Sequence, residues 1–375
     1  MSRFIGAILL IVSSTIGGGI IALPPVSAQG GFVRAVSLMT GVWIVMTLSG
    51  LLLAKKSVER EATSIADLAK KSFGKPIQAA VWFVTLTLLY LIAAAYTSGV
   101  STFFANALAQ NFSFHVSSPL VAIVFLLIFG GVVSCGIRWI DLATKVLLPI
   151  KIGLLLCACA LLLPHVAGQN LLAAGSWHRA LGAAPYFLCA FGYHCVIPSL
   201  CAYTGNSFKR IYAAVITGTT VPFLIYLLWL AVTLGVAPRG EFSSASVFLN
   251  TLIDLTGDNY VAVFVRTFTN ITMLVSFLAI GLALFDFLRD GLNRQNNYMG
   301  RIQTALASFG LPLAFTVFYP DGFLIALRYS SIFATLLMLA LPAALNMREK
   351  PWPRAIAYLC AGVAIVIICV AIKGL

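Results

Sequence analysis

Apolar stretches about as long as a bilayer is thick recur along this 375-residue chain, and they leave very few folds open. Eleven can be counted, at about 4–27, 32–54, 77–108, 118–136, 140–163, 181–203, 211–236, 262–287, 302–319, 322–346 and 352–374. Each is near the roughly 20 residues that an α-helix needs to cross hydrocarbon. Lipid offers no partners to a bare backbone, so such spans must be helices. Only 9% of residues are charged, which leaves no stretch for a sizeable soluble domain. The expectation is an all-α polytopic membrane protein of eleven transmembrane helices, one domain over 1–375 embedded in the bilayer. The third run is overlong and should tilt or project. The connection 136–140 demands a tight hairpin. Met1 to Arg3 is too short for a cleaved leader's charged region, so the first run should be retained as a span.

The formal net charge of +13 does not point to nucleic acid, because of where the basic residues fall. Lys55, Lys56, Arg60, Lys70, Lys71 and Lys75 share one loop. Arg138 and Lys145, then Lys209 and Arg210, then Arg289, Arg294 and Arg301, then Arg348, Lys350 and Arg354 follow on the same side. The opposite loops carry chiefly Arg34, Arg179 and Arg239. This is the positive-inside pattern, and it predicts a cytoplasmic N-terminus and a C-terminus outside. Two connections read as helices. Residues 63–73 have Ser64 as N-cap, Asp67 at the third position and Gly74 as the stop. Residues 243–256 read as an outer helix, a lid or a cap.

The first span contains Ser13-Ser-Thr-Ile-Gly-Gly-Gly-Ile-Ile-Ala-Leu-Pro-Pro25. Three successive glycines cost a continuous helix about 1 kcal/mol each, and Pro24 and Pro25 withhold the next turn's amides. A break at mid-membrane is tolerated where protein or a wet cavity receives the freed groups, so this span is expected to be discontinuous and to line a solute site. Close packing through small residues is the plainer alternative. Segment six repeats the pattern: Gly192 is followed six residues later by Pro198, as Gly17 is followed seven later by Pro24. With five spans per repeat, segment six opens a second set, and matching breaks at corresponding positions point to an inverted-repeat transporter. The expected repeats are 1–163 and 181–346, with 352–374 an added helix.

His194 is the one histidine inside a span; His115, His165 and His178 fall at loops or span ends. An intramembrane ionisable group is a functional candidate, against which stands a neutral ring bonded to a carbonyl of the break. The eight cysteines include no CxxC pair, so neither a disulfide nor a metal site is expected. Nor is a cofactor or an enzyme's catalytic cluster. A channel remains a distant alternative.

Residues 14–24 resemble the first-helix motif of the hydroxy and aromatic amino acid permeases, within the amino acid-polyamine-organocation superfamily. The resemblance continues through Phe191-Gly-Tyr-His194 and Val196-Ile-Pro-Ser199, through Ser276-Phe-Leu278 and Gly281 to Asp286, and through Phe318 to Phe323. It implies a five-plus-five inverted-repeat fold of the leucine transporter type in a bacterial inner membrane, with its C-terminus periplasmic. It also implies proton-driven import of aromatic amino acids, tyrosine first, with tryptophan, a broader neutral range or sodium coupling as alternatives. Tyr193 and Cys195 depart from the family pattern beside the expected pocket.

A zwitterion then needs three partners. Amides freed around Thr15, Ile16, Gly17, Gly18, Gly19 and Ile20 would hold its carboxylate at a helix N-terminus. Carbonyls from Phe187 to Phe191 would accept from its ammonium, with Gly192 allowing close approach. Phe191, Tyr193, Tyr90 and Phe277 are the candidate aromatic walls. His194, Ser276, Asp286 (with Arg289 one turn on), Asp141 and Lys151 are the coupling or gating candidates, and Thr15 with Ser276 the candidate cation site.

Overall fold

The computed structural model describes residues 3–112, 114–135, 137–237, 239–291 and 298–373; the side chains of 110–112, 135, 137–145 and 298 lie outside that description. Arg294 and the side chains of Arg138, Asp141 and Lys145 are therefore not placed.

The first span is α1 (Arg3–Thr15) and α2 (Gly19–Ser27), bent by 54° at residues 16–18. Next come α3 (Phe32–Glu59), the short α4 (Ile65–Phe73) and α5 (Lys75–Phe112), at 38 residues as overlong as its sequence requires. The fourth stretch is α6 (Ser118–Phe125), a π-turn at Leu126–Gly130 and α7 (Gly131–Cys135), followed by α8 (Ile137–Leu162). After α9 (Gly168–Leu172) and α10 (Trp177–Leu181), the sixth span is again interrupted. It consists of α11 (Ala184–Ala190), a 3₁₀ turn at His194–Val196 and α12 (Ile197–Tyr203). Then follow α13 (Phe208–Val236), α14 (Ala245–Thr256), α15 (Asn259–Gly291), α16 (Tyr298–Phe318) and α17 (Phe323–Thr335). A second π-turn at Leu336–Ala340 leads to α18 (Leu341–Asn346), and α19 (Pro351–Lys373) closes the chain. Among the described residues nine helices are long and apolar enough to cross a membrane, and the bent α1–α2 pair makes ten. The 118–134 stretch is apolar but short; counted with them, it completes the expected eleven.

The two connecting helices form as their caps dictate. Ser64 accepts from the Asp67 amide at 3.0 Å while the Asp67 carboxylate accepts from the Thr63 amide at 3.0 Å, and Gly74 takes φ +87° after the last turn. Ser244 accepts from the Val247 amide at 3.2 Å, and Gly257 ends α14 in the left-handed region at φ +61°.

The chain forms two compact units, each assembled from both halves of the sequence: 1–88 with 171–231 and 328–375, and 89–170 with 232–327. In the first unit α3 is the hub, flanked by α10, α11, α12, α18 and α19. Gly50 on α3 makes room for the Tyr193 ring, where a Cβ would overlap the phenol, and the Tyr193 hydroxyl donates to the Met46 carbonyl at 3.0 Å. The Ser49 hydroxyl donates to the Met338 carbonyl in the second π-turn. In the second unit α15 packs on α8, α16, α7 and α14. Phe277 lies between Phe125 (4.7 Å between ring centres) and Phe309 (5.9 Å).

At the end of α3, Lys55 and Lys56 both bond Glu349, which sits between α18 and α19; Lys56 also pairs with Glu59 at 2.8 Å. The hydrogen bonds from Lys56 and then Lys55 hold the Glu349 carboxyl down to about 2, against about 4.3 in an open chain. Its contribution is therefore present above the open-chain value and lost as pH falls toward the folded one. Glu349→Gln should melt at a lower temperature than the parent in detergent at pH 7. That gap should close as the pH is taken from 5 down to 2; a gap independent of pH would exclude the carboxylate pairing as its cause.

Candidate functional site

Glycine, not proline, breaks the first span. The unwinding lies at residues 16–18, among the glycines, and α2 runs through Pro24 and Pro25 to Ser27. The prolines deprive the Ile20 and Ile21 carbonyls of their i+4 amides, as the sequence leads one to expect. At the break the Gly17 amide turns back to the Thr15 carbonyl at 2.9 Å, and the Ile20 and Ile21 amides reach the Gly17 and Gly18 carbonyls at 3.4 and 3.1 Å. The Gly18 amide donates to no acceptor among the described residues. The expected amide cradle is thus narrower than Gly17 to Ile20: the Gly17 and Ile20 amides are engaged, and Gly18, at the positive end of α2, is open.

In the sixth span the Phe191 amide completes α11 on the Phe187 carbonyl at 3.1 Å, and the Gly192 amide tightens to Cys189 at 3.2 Å. The Phe187 carbonyl is thereby used, and the Leu188 carbonyl loses its helical donor to that tightening. The two breaks lie side by side. A Cβ on Gly19 would stand 3.4 Å from the Ala190 Cα, so α2 and α11 approach backbone to backbone at that glycine. Met338 of the second π-turn covers Gly192, its methyl 3.3 Å from where a Cβ would stand.

Tyr226 on α13 joins the two breaks. Its hydroxyl oxygen lies 2.7 Å from the Thr15 carbonyl and 3.0 Å from the Ala190 carbonyl, so one proton serves the last carbonyls of both leading half-helices. The ring is fully buried and packs on Phe191 at 5.3 Å. Nothing in the sequence marks this tyrosine apart from a polar atom within an apolar span.

The structure sorts the expected site residues into groups. Thr15, Ile16, Gly17, Gly18, Gly19 and Ile20 gather with Phe187, Phe191, Gly192 and His194 in the first unit. Phe187, Phe191, Ile20 and His194 are fully buried there. Thr15 returns its hydroxyl to the Ile11 carbonyl at 2.7 Å. Tyr193 departs from the expected wall role, because its hydroxyl and ring are committed to Met46 and Gly50 on α3. The His194 ring lies tilted against Tyr193, their centres 4.7 Å apart. Neither of its ring nitrogens has a partner among the described residues, so the alternative of a ring bonded to a carbonyl of the break is not what the structure describes. His115, His165 and His178 are exposed, as their loop positions require.

Tyr90, Ser276, Phe277, Asp286 and Lys151 belong to the second unit. The Tyr90 hydroxyl donates to the Ala307 carbonyl at 2.8 Å, Ser276 bonds back to Thr272 at 2.7 Å, and Phe277 is enclosed by Phe125 and Phe309. Asp286 pairs with Arg289 at 2.9 Å, the one-turn spacing its sequence suggests. Lys151 is 2% exposed within α8.

Comparison with known proteins bears on this arrangement directly. A solved structure of MhsT in complex with L-phenylalanine, a transporter of the leucine-transporter fold, superposes with a TM-score of 0.63 at 14% identity, covering 99% of this chain and 98% of that one. The likeness shows the fold. Among curated relatives, tyrosine-specific transport system 2 of Haemophilus influenzae is 32% identical over 372 residues, 96% of this chain and 91% of its own. The tryptophan-specific transport protein of Shigella flexneri is 27% identical over 359 residues, 92% and 86% of the two chains. Glutamine transporter 2 of Aliivibrio fischeri is 26% identical over 358 residues, 93% and 90%. The profile of the tryptophan/tyrosine permease family matches residues 1–375. Two interrupted spans set side by side within an all-helical membrane protein are what such a carrier requires, and this chain, a multi-pass membrane transporter rather than an enzyme, belongs to the tryptophan/tyrosine permease family.

Proposed function

We propose that this chain is a proton-coupled carrier that imports aromatic amino acids, tyrosine first, across the bacterial inner membrane by alternating access. The observation that carries the reading is the pair of adjacent helix breaks. An open Gly18 amide at the positive end of α2 suits a carboxylate, and the Leu188, Ile20 and Ile21 carbonyls that lack helical donors suit an ammonium. Phe187 and Phe191 supply apolar wall beside them. The family and two tyrosine-specific relatives at 32% identity support an aromatic substrate. The basic residues of the loops support a cytoplasmic N-terminus and a periplasmic C-terminus.

The composition of the units supports the expected inverted repeat. Spans one, two and six and most of seven share one unit, while four, eight, nine and most of three share the other; five and ten, by contrast, fall mostly in different units. For the first four spans of each half, those are the pairings that repeats at 1–163 and 181–346 produce. For coupling, Lys151 and His194 are ionisable groups buried within spans, the usual equipment of a proton path. Asp286, held by Arg289 at the end of α15, is a gate candidate; Asp141, whose side chain is not described, stays one on its place in α8.

Proteoliposomes loaded with sodium-free buffer test this reading. Labelled tyrosine should accumulate on imposition of an inward proton gradient, should exchange in counterflow, and should be displaced by tyrosine more effectively than by tryptophan, phenylalanine or glutamine. Accumulation that needs sodium would overturn the coupling, and preferred displacement by glutamine would overturn the substrate. Gly19→Leu, which drives a side chain into Ala190, should abolish uptake while the protein still inserts and purifies as a monodisperse species; normal uptake would remove the cradle. Tyr226→Phe removes the hydroxyl donor from the Ala190 carbonyl and leaves the Thr15 carbonyl with the Gly17 amide alone, and should cost about 1 kcal/mol of stability. It should also lower the uptake rate; thermal melting and initial rates, measured together, separate the two effects.

A further inference from the structure

In the second unit, α14 covers a small crevice between α5 and α15 that the transport reading does not use. The cavity, about 20 Å³, is lined by Asn106 of α5, Ser246 and Asn250 of α14, and Arg266, Thr269 and Asn270 of α15, with apolar side chains between them. That volume holds about one water-sized sphere. Arg266 and Asn270 stand one turn apart on the same helix. The Arg266 Nε is buried without a partner, as is the Asn270 Oδ1, and the guanidinium makes no ion pair or hydrogen bond among the described residues. The nearby carboxylates, Asp254 on α14 and Asp258 just after it, do not pair with it; Asp258 instead accepts from the Tyr260 amide at 2.7 Å.

Buried charges are ordinarily paired, and here a half-buried cation lines a crevice with amide and hydroxyl side chains and forms no ion pair among the described residues. Of those hydroxyls, Thr269 already donates to the Val265 carbonyl. The first turn of α14, which contributes Ser246, adds the positive end of a helix dipole to the same side. We propose that this crevice binds a small monovalent anion, of which chloride fits the volume, with Arg266 as the counter-charge, the amides of Asn106 and Asn270 turned to donate, and the hydroxyls of Ser246 and Thr269 within its lining. The occupant ties α14 to α5 and α15. The site is independent of which amino acid is carried and of the breaks that carry it.

The purified full chain in detergent is melted at fixed sodium and fixed ionic strength while gluconate is exchanged for chloride, or for formate as the carboxylate analogue. The melting temperature should rise saturably with chloride. In Arg266→Gln the apparent affinity should fall by about tenfold or more, as for loss of a charged partner, while protection by tyrosine is retained. Asn270→Leu, which keeps the charge, should weaken the response by less. Saturable protection by formate in place of chloride, lost in Arg266→Gln, would assign the same site to carboxylates. No saturable response to either anion, or an equal response in wild type and both variants, overturns the proposal.

Discussion

Everything in this chain answers to the rule that a main-chain amide or carbonyl within hydrocarbon must find a partner inside the protein. Where the helices are continuous, the rule is met by the winding itself. At residues 16–18 and 191–193 it is not, and the structure spends side chains there. Tyr226 is the clearest case: one hydroxyl, fixed by a fully buried ring, stands between the Thr15 and Ala190 carbonyls. The two interruptions are thereby held to each other through a third span. What that hydroxyl leaves unserved, the Gly18 amide and the carbonyls short of helical donors, is the main chain's remaining capacity to hold something else.

The same rule explains why polar side chains in the spans are so often turned back on their own helices. Thr15, Ser276, Thr97, Thr269 and Thr335 each bond the carbonyl four residues before. Such groups have their proton placed without a ligand. His194 and Arg266 are different in kind, because neither finds a partner among the described residues. Polar atoms that the fold does not satisfy are where binding is most economically placed.

Much of this was legible in the residues, and the physical reason is that the signals were local. Ser64 with Asp67 and Gly74, and Ser244 with Gly257, are caps whose geometry is written within a dozen positions. Three glycines in a row announce the first break as plainly as hydropathy announces the spans. What was not legible depends on distant partners. Tyr193 reads as a pocket residue from its neighbours in sequence, yet Gly50, more than a hundred positions away, provides the slot that takes its ring. Phe277 reads as a wall until Phe125 and Phe309 close around it.

The two π-turns left no trace in composition, since five apolar residues wind as π or α according to what they pack against. Their effect is on phase. One surplus residue at Leu336–Ala340 rotates everything beyond it by about 100° relative to an unbroken α-helix. Ser330 and Asn346, both fully buried, are thus oriented by two different windings of one rod. A single-residue deletion there would let the rod wind as α throughout and leave Asn346 on its buried face, whereas the same deletion elsewhere in the rod would swing it off. In this span, alignment gaps of one position would carry more structural meaning than most substitutions.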